Sequence, residues 1–287
     1  MKRARIIDWG SYVRWDGKVI IPFKRLAELG LCDCFIAKGG QAGAGLSTKA
    51  NLAAARAANI PVTGCYYWVD PCNTPEYDAS HIAALIVEED PDIAILDCEQ
   101  WWSEWAKYES ACSGGTGWGD VPRFGPFTLS EHYRKVAAQV TTENPAKKVV
   151  LYTSKSFVDS WAPSMGTWLG RFDGGFVASW PDYGKAVYYL DWPAILAYPP
   201  EDCVPALPKG WSTWRFWQTS SRIRPLEYQN DAGGFDHNYD WGLFNGTLED
   251  LLAWLGKPVP QSVPPVLSWQ ESIDAWARSL GYVGPHP

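Results

Sequence analysis

The feature of this 287-residue chain that most constrains its fold is an alternation of strand-like and helix-like segments over the first 180 residues. Apolar runs such as "FIAKGG" and "AILDCE" have the composition of strands buried on both faces. Successive strand–helix units require parallel strands, so five of them predict a barrel or a doubly wound sheet. The predicted strands span 4–10, 33–40, 62–70, 93–99 and 147–154, and the helices span 22–30, 47–60, 75–90 and 128–144.

The last third of the chain has a different character. Strands are predicted at 175–180, 211–221 and 235–246, but the segments between them are rich in Pro and Gly and lack helical periodicity. Five strand–helix units followed by three strands give eight strands, the number that closes a barrel. We therefore predict an α/β barrel.

The C-terminal region predicts where this barrel ends. A helix at 247–256, with Thr247 as its N-cap, completes a first domain over residues 1–256. Residues 257–268 are a Pro-rich linker, and residues 269–287 hold one short amphipathic helix. This tail is too small to be a domain. It is either a terminal helix docked on the barrel or an adaptor for a partner.

Composition and charge exclude several classes of protein. The net charge of −7 leaves no overall positive surface for phosphates, so nucleic acid is not an expected partner. The chain contains no run of 18 apolar residues, so no membrane insertion is expected. The N-terminus shows no secretory signal pattern. The four His are scattered and no CxxC occurs, so no metal or cofactor is expected, and the cysteines of the predicted strands are interpreted as reduced core thiols.

The segment "DIAILDCEQWW" carries two acids at the end of a buried strand. Side chains two residues apart on a strand share a face, so Asp97 and Glu99 point the same way. Two neighbouring carboxylates raise each other's pKa unless another group separates or pairs them. Taken alone, the pair is also compatible with a solvated strand end.

Other acids and aromatic rings end further predicted strands. In a closed barrel of parallel strands the strand ends converge on one mouth, where Asp8 and Asp240 would join Asp97 and Glu99. Such a cluster suits glycosidic bond cleavage, because one carboxyl protonates the leaving oxygen while another group stabilises positive charge at the anomeric carbon. The flat rings that would wall this mouth belong to Tyr66, Trp68, Tyr152, Trp180 and Trp217.

The order of motifs resembles the glycoside hydrolase family 25 lysozymes over residues 4–246. The resemblance rests on "IIDWGSY", "FIAKGG", "NLAAARAANIPVTGCYYWV", "AILDCE", "VVLYTSKSF", "GFVASW", "WSTWRFWQTSS" and "DWGLFNG", in that order. It implies an irregular TIM-like (β/α)5β3 barrel that cleaves the β(1,4) bond between N-acetylmuramic acid and N-acetylglucosamine in bacterial peptidoglycan.

The resemblance also implies roles for individual residues. Glu99 takes the role of general acid, Asp97 assists the 2-acetamido group of the substrate, and Asp8 and Asp240 flank them. Whether a side chain or the substrate's own acetamido oxygen attacks stays open. The turn after the second strand offers Lys38 where the family usually has an acid, and a Trp-rich insertion follows the catalytic strand. The predicted substrate-binding residues are Lys38, Tyr66, Trp68, Trp101, Tyr152, Trp180, Trp217 and Gln218.

Two alternatives stay open beside this hypothesis. A chitinase-type hexosaminidase also uses a strand-end DxE, but its longer motif would need an acid where this chain has Ile95. A catalytically silent glycan-binding module, for example on a phage tail, would keep the barrel without the chemistry. With no signal peptide evident, the expected setting is a phage endolysin held in the host cytoplasm until lysis.

Overall fold

The structure, a computed structural model, describes ten segments of the chain. They are residues 2–9, 21–39, 45–71, 73–99, 126–169, 174–179, 188–200, 203–221, 223–225 and 240–259. The predicted tail at 269–287 and most of the linker lie outside these residues, so both stay predictions.

Eight strands form a closed barrel, which confirms the predicted number of barrel strands. The barrel strands are β1 (Arg5–Trp9), β2 (Cys34–Lys38), β3 (Val62–Trp68), β4 (Ile93–Asp97), β5 (Lys148–Ser154), β6 (Gly175–Ala178), β8 (Phe216–Ser220) and β10 (Asp240–Phe244). Around the barrel their order is β1-β10-β8-β6-β5-β4-β3-β2. Two short strands, β7 (Tyr188–Leu190) and β9 (Ile223–Pro225), form a separate parallel pair that the sequence did not predict.

Helices follow the strands as predicted, with additional short ones in the second half. They are α1 (Phe23–Glu28), α2 (Gly45–Ala57), α3 (Pro75–Glu89), α4 (Pro126–Glu143), α5 (Lys155–Trp161), α6 (Met165–Trp168), α7 (Trp192–Leu196) and α8 (Leu248–Trp254). The hydroxyl of Thr247 caps α8 in a capping box with Asp250, so the predicted N-cap is confirmed. Thr74 caps α3 by accepting a hydrogen bond from the Tyr77 backbone N–H. The sequence missed α5, α6 and α7 because they are too short to show a clear helical period.

The barrel is mixed rather than wholly parallel, which corrects the assumption of parallel strands throughout. β10 pairs antiparallel with both of its neighbours, β1 and β8. The other six strand pairs around the barrel are parallel. The mouth is therefore formed by the C-terminal ends of seven strands and the N-terminal end of β10.

Alternation along the strands separates two hydrophobic layers. One set of side chains fills the barrel, including Ile36, Ile95 and Phe216. The alternate set, including Phe35, Leu96 and Trp217, packs in the layer between the strands and the surrounding helices. The thiols of Cys32, Cys34, Cys65 and Cys98 are free and buried in these layers, as predicted.

Helix α8 marks the closed end of the barrel, opposite the mouth. Its residues Leu251 and Leu252 belong to the cluster that fills the barrel. Just after α8, the Lys257 ammonium lies 2.7 Å from the Asp92 carboxylate and donates to the Pro61 carbonyl oxygen at 3.1 Å. Asp92 and Pro61 precede β4 and β3, so α8 lies at the N-terminal ends of the parallel strands.

Candidate active site

The four predicted catalytic acids lie at the mouth of the barrel. Asp8 near the end of β1 is the direct cross-strand partner of Asp240, the first residue of β10. Because β10 is antiparallel, its beginning rather than its end meets the C-terminal end of β1. Asp97 is the last residue of β4, and Glu99 follows two residues later on the same face. The strands thus bring acids from three elements to one place.

Burial distinguishes Asp8 and Asp97 from ordinary surface acids. Each is only 7% exposed, and each has one carboxylate oxygen without a hydrogen-bond partner among the described residues. Desolvation by burial raises the pKa of Asp8 well above its usual value, and the charges of Asp240, Asp97 and Glu99 raise it further. Desolvation also raises the pKa of Asp97, Glu99 adds to this effect, and the ammonium of Lys38 opposes it.

Glu99 differs from the two buried aspartates in its position. It is exposed at the open end of the barrel, where a substrate can reach its carboxyl. The protein around it still desolvates this carboxyl enough to raise its pKa. A raised pKa keeps a carboxyl protonated closer to neutral pH, which is the requirement for a general acid. Asp97 and Glu99 interact as a pair, so the protonation of each depends on the other.

Two tyrosines line the same face of the barrel between the acids. Desolvation, followed by the charges of all four acids, raises the pKa of both Tyr66 and Tyr152 above the usual phenol value. Both hydroxyls therefore stay neutral and able to donate hydrogen bonds. The Tyr152 hydroxyl donates to Oε1 of Gln218 at 2.8 Å, which fixes the orientation of that amide.

Pockets adjoin the acids on two sides of the mouth. One, of about 540 Å³, is lined by Glu99, Tyr152 and the first residues of α5. The other, of about 440 Å³, lies between α3 and the ends of β2 and β3, where Lys38 and Trp68 line it. Trp68 is the cross-strand partner of Asp97, so this second pocket begins beside the acids. Both volumes fall within the range of about 300–1,000 Å³ typical of small-molecule sites.

Trp217 does not lie at the mouth, so its prediction as a substrate contact is wrong. Its side chain is fully buried in the layer between the barrel and the helices. The indole Nε1 donates to the Ser179 carbonyl oxygen at 2.6 Å, and the ring packs edge-on against Trp214. The next residue, Gln218, faces the barrel interior instead. Adjacent side chains of a strand point to opposite faces, so Trp217 and Gln218 cannot both face the barrel interior.

The remaining predicted residues divide into two groups. Lys38, Tyr66, Trp68, Tyr152 and Gln218 lie on the strand faces that point into the barrel, and their substrate contacts stay predictions. Trp101 and Trp180 lie outside the described residues. Residues of α3 and α5 that line the pockets, such as Tyr77 and Lys155, were missed. For Tyr77, the available signal was an aromatic residue in the first turn of the helix that follows β3.

In the part of the chain that the structure describes, no cluster of three or more His, Cys, Asp or Glu side chains has an arrangement that could bind a metal ion. None of the helices in that part combines the length and apolar character needed to span a membrane.

Comparison with known proteins finds similarity in structure but not in sequence. Neither protein-family models nor curated protein sequences match the chain. A glycosyl hydrolase 25 of Streptococcus pneumoniae, described as a virulence factor participating in host cell invasion, superposes with a TM-score of 0.56 at 16% identity. The match covers 88% of this chain and 93% of that one. The chain therefore has the α/β-barrel fold of this glycosyl hydrolase.

Weaker similarity extends to two structures of modular endolysins. The Cpl-1 endolysin complexed with a peptidoglycan analogue gives a TM-score of 0.47 at 16% identity, over 86% of this chain and 55% of that one. A multimodular pneumococcal cell wall endolysin from phage Cp-1, complexed with choline, gives 0.46 at 15% identity, over 92% and 57%. This chain thus corresponds to little more than half of either endolysin.

Proposed function

We propose that this protein is a lysozyme that hydrolyses the β(1,4) bond between N-acetylmuramic acid and N-acetylglucosamine in peptidoglycan. The observation that carries the proposal is the cluster of acids at the mouth, in which an exposed Glu99 with a raised pKa adjoins the buried Asp97. The shared fold with a glycosyl hydrolase 25 supports the same reaction class, and we assign the (β/α)5β3 topology of the family to this barrel.

The proposed mechanism gives the two acids of the DxE segment different roles. Protonated Glu99 donates its proton to the glycosidic oxygen as the bond to the anomeric carbon breaks. A water molecule then adds to the anomeric carbon, directly or by displacing the acetamido oxygen from it, and returns a proton to Glu99. Ionised Asp97 assists at that carbon, either by orienting the substrate's acetamido group or by stabilising the positive charge that develops. Burial and the charge of Glu99 raise the pKa of Asp97, and the Lys38 ammonium opposes this rise. The positive charge that develops at the anomeric carbon adds to the effect of Lys38 and favours the ionised form of Asp97 in the transition state.

Asp8 and Asp240 flank this pair across the mouth. Both acids lie on the opposite side of the mouth from β4, on the paired strands β1 and β10. Neutral Tyr66 supplies a hydrogen-bond donor beside the reacting sugar, Tyr152 holds the Gln218 amide in place, and Trp68 supplies an exposed flat ring. Pockets on two sides of the acids suit a polymer, because both sides of the broken bond need binding contacts.

The decisive variant is Glu99→Gln, which keeps the shape of the side chain and removes its transferable proton. Cleavage of purified peptidoglycan should fall by about 10² to 10⁴, the usual contribution of a general acid. Glu28→Gln, at an exposed position on α1, serves as the matched control and should keep full activity. Clearance of cell walls by Glu99→Gln at the rate of the parent would show that the assignment of the acid is wrong.

The products distinguish the proposed bond from its alternatives. Mass spectrometry of the digest should find N-acetylmuramic acid at the new reducing ends. Reducing-end N-acetylglucosamine would instead favour the chitinase-type hexosaminidase. Binding to glycan without any new reducing ends would favour the catalytically silent module. The endolysin setting and the role of the tail stay predictions that neither assay addresses.

A further inference from the structure

The pocket between α3 and the ends of β2 and β3 has features that the cleavage chemistry does not use. It begins at Lys38 and Trp68, beside the acids, and extends along the N-terminal half of α3 to Tyr77 and His81. It therefore continues the mouth in the direction away from β5 and β6, where the pocket with Glu99 lies. A substrate that spans the acids would enter both pockets.

Two flat aromatic side chains are exposed at this pocket. Trp68 is 46% exposed and Tyr77 is 54% exposed, although large apolar side chains are usually covered. The Tyr77 ring stacks on His81, with centroids 6.1 Å apart and planes inclined by 13°. This stacking restricts the tyrosine ring while leaving more than half of the side chain open. Exposed, pre-oriented rings suit the apolar C–H face of a pyranose ring.

The wall of the same pocket also contains buried polar groups. Asp78 lines it, is 4% exposed, and accepts a hydrogen bond from the Asn73 side-chain amide at 2.6 Å. Its second carboxylate oxygen has no hydrogen-bond partner among the described residues and lies 3.8 Å from Nε2 of His132. This oxygen has no exposed surface and faces His132 on α4, so Asp78 supports the wall of the pocket and does not contact the ligand.

We infer that this pocket is a distal sugar-binding subsite, which holds a pyranose ring of the same glycan strand beyond the sugars at the scissile bond. Tyr77 stacks on the sugar ring, and Trp68 lies at the end of the pocket beside the acids. The inference rests on the proposed function, because a glycan strand is the ligand that must run outward from the acids. It adds the expectation that affinity grows with the length of the strand.

Binding to an inactivated enzyme isolates this subsite from catalysis. Calorimetry measures how tightly the Glu99→Gln protein binds two peptide-free glycans of alternating N-acetylglucosamine and N-acetylmuramic acid, a hexasaccharide and a disaccharide. Adding Tyr77→Ala should weaken binding of the hexasaccharide by about three- to tenfold, the equivalent of one aromatic contact. Disaccharide binding should stay unchanged, because two sugars fill only the positions at the acids.

Matched variants separate stacking from damage to the helix. Tyr77→Phe keeps the ring and should bind the hexasaccharide like the parent. Val87→Ala changes another exposed apolar side chain of α3, outside the pocket, and should have no effect. In the active enzyme, Tyr77→Ala should raise KM for long strands by the same factor and leave kcat unchanged.

The outcomes distinguish failure of the subsite from failure of the proposed function. Equal affinity of Tyr77→Ala and the parent for the hexasaccharide overturns the subsite alone. A parent that binds neither glycan overturns the subsite together with the lysozyme proposal. A Tyr77→Ala defect in a protein that binds but does not cleave supports the subsite and removes the catalytic assignment.

Discussion

At the closed end of the barrel the rings of Phe216, Phe244 and Trp254 pack with centroids 5.4 to 6.0 Å apart. At the mouth, Asp8 and Asp97 are equally enclosed but carry carboxylate oxygens with no hydrogen-bond partner among the described residues. The same strands with the same alternation form both ends. One end consists of contacts that stabilise the fold, and the other consists of charges whose burial opposes it.

This difference shows where the stability and the chemistry of the protein are located. Burial of the apolar rings contributes favourable free energy whether or not a substrate is bound. The acids at the mouth raise one another's pKa because water and counter-charges are largely excluded from them. A substrate would supply the hydrogen bonds and the positive charge that these carboxylates lack. If stability and chemistry are separated in this way, substitutions at the two ends should act independently.

The largest effect is expected at the closed end. Phe216→Ala should lower the free energy of unfolding by about 3–5 kcal/mol, because it removes a fully buried ring from an aromatic cluster. Urea unfolding followed by tryptophan fluorescence measures this change. The rate of peptidoglycan cleavage per folded molecule should stay near that of the parent. A loss below about 1 kcal/mol would mean that the closed end relaxes and does not dominate stability. Phe216→Leu retains most of the volume and should cost less.

The next largest effect is expected at the mouth, where a substitution should lower activity and raise stability. Asp97→Asn should reduce cleavage by at least about 10², because it removes the charge beside the reacting carbon. It should also raise the free energy of unfolding, because it removes a buried acid with an unpartnered oxygen. Initial rates and urea unfolding of the same preparation test both parts.

A matched aspartate at the closed end sharpens this prediction. The Asp92 carboxylate accepts a hydrogen bond from the Thr63 backbone N–H at 2.8 Å and lies 2.7 Å from the Lys257 ammonium. Asp92→Asn should therefore lower stability and leave the rate of cleavage unchanged. If Asp97→Asn and Asp92→Asn change stability in the same direction, the proposed difference between the two ends of the barrel is wrong.

The smallest effect is a pH dependence of stability that arises from Asp8. Because folding raises the pKa of this carboxyl, the folded protein holds its proton more tightly than the unfolded chain. The contribution of Asp8 to the stability of the parent therefore falls as the pH rises above about 4, the pKa of an unfolded aspartate. Asp8→Asn does not ionise, so its stability relative to the parent should increase over the same range. Urea midpoints at pH 4 to 7 measure this difference.

Asp90→Asn provides a control of opposite sign. The hydrogen bond from Lys147 lowers the pKa of Asp90, so its carboxylate contributes stability that is lost as the pH falls through that pKa. Asp90→Asn should be less stable than the parent at neutral pH, and this difference in stability should disappear at acidic pH. Asn tolerates the left-handed backbone at this position, where φ is 50°. If the difference in stability between Asp8→Asn and the parent does not change with pH, the raised pKa of Asp8 is contradicted.

Much of the fold and part of the site could be predicted because they depend on local pattern. Thr247 was predicted as an N-cap because its hydroxyl can accept a hydrogen bond from a free backbone N–H at a helix start, and the structure adds a capping box with Asp250. Asp97 and Glu99 were predicted to share a face because strand alternation is a short-range rule. The strand β9 and the helix α7 could not be predicted, since three to five residues carry too little periodicity.

The barrel strands and the acids at or near their ends could be located from consecutive residues, because apolar runs and alternation are local patterns. The closed barrel gives β10 its antiparallel direction, which places Asp240 opposite Asp8. It also decides that Trp217 faces the helices, because a strand buried on both sides shows no apolar periodicity that could orient it. Strand direction and side-chain face depend on partners distant in sequence, and these exist only once the barrel closes.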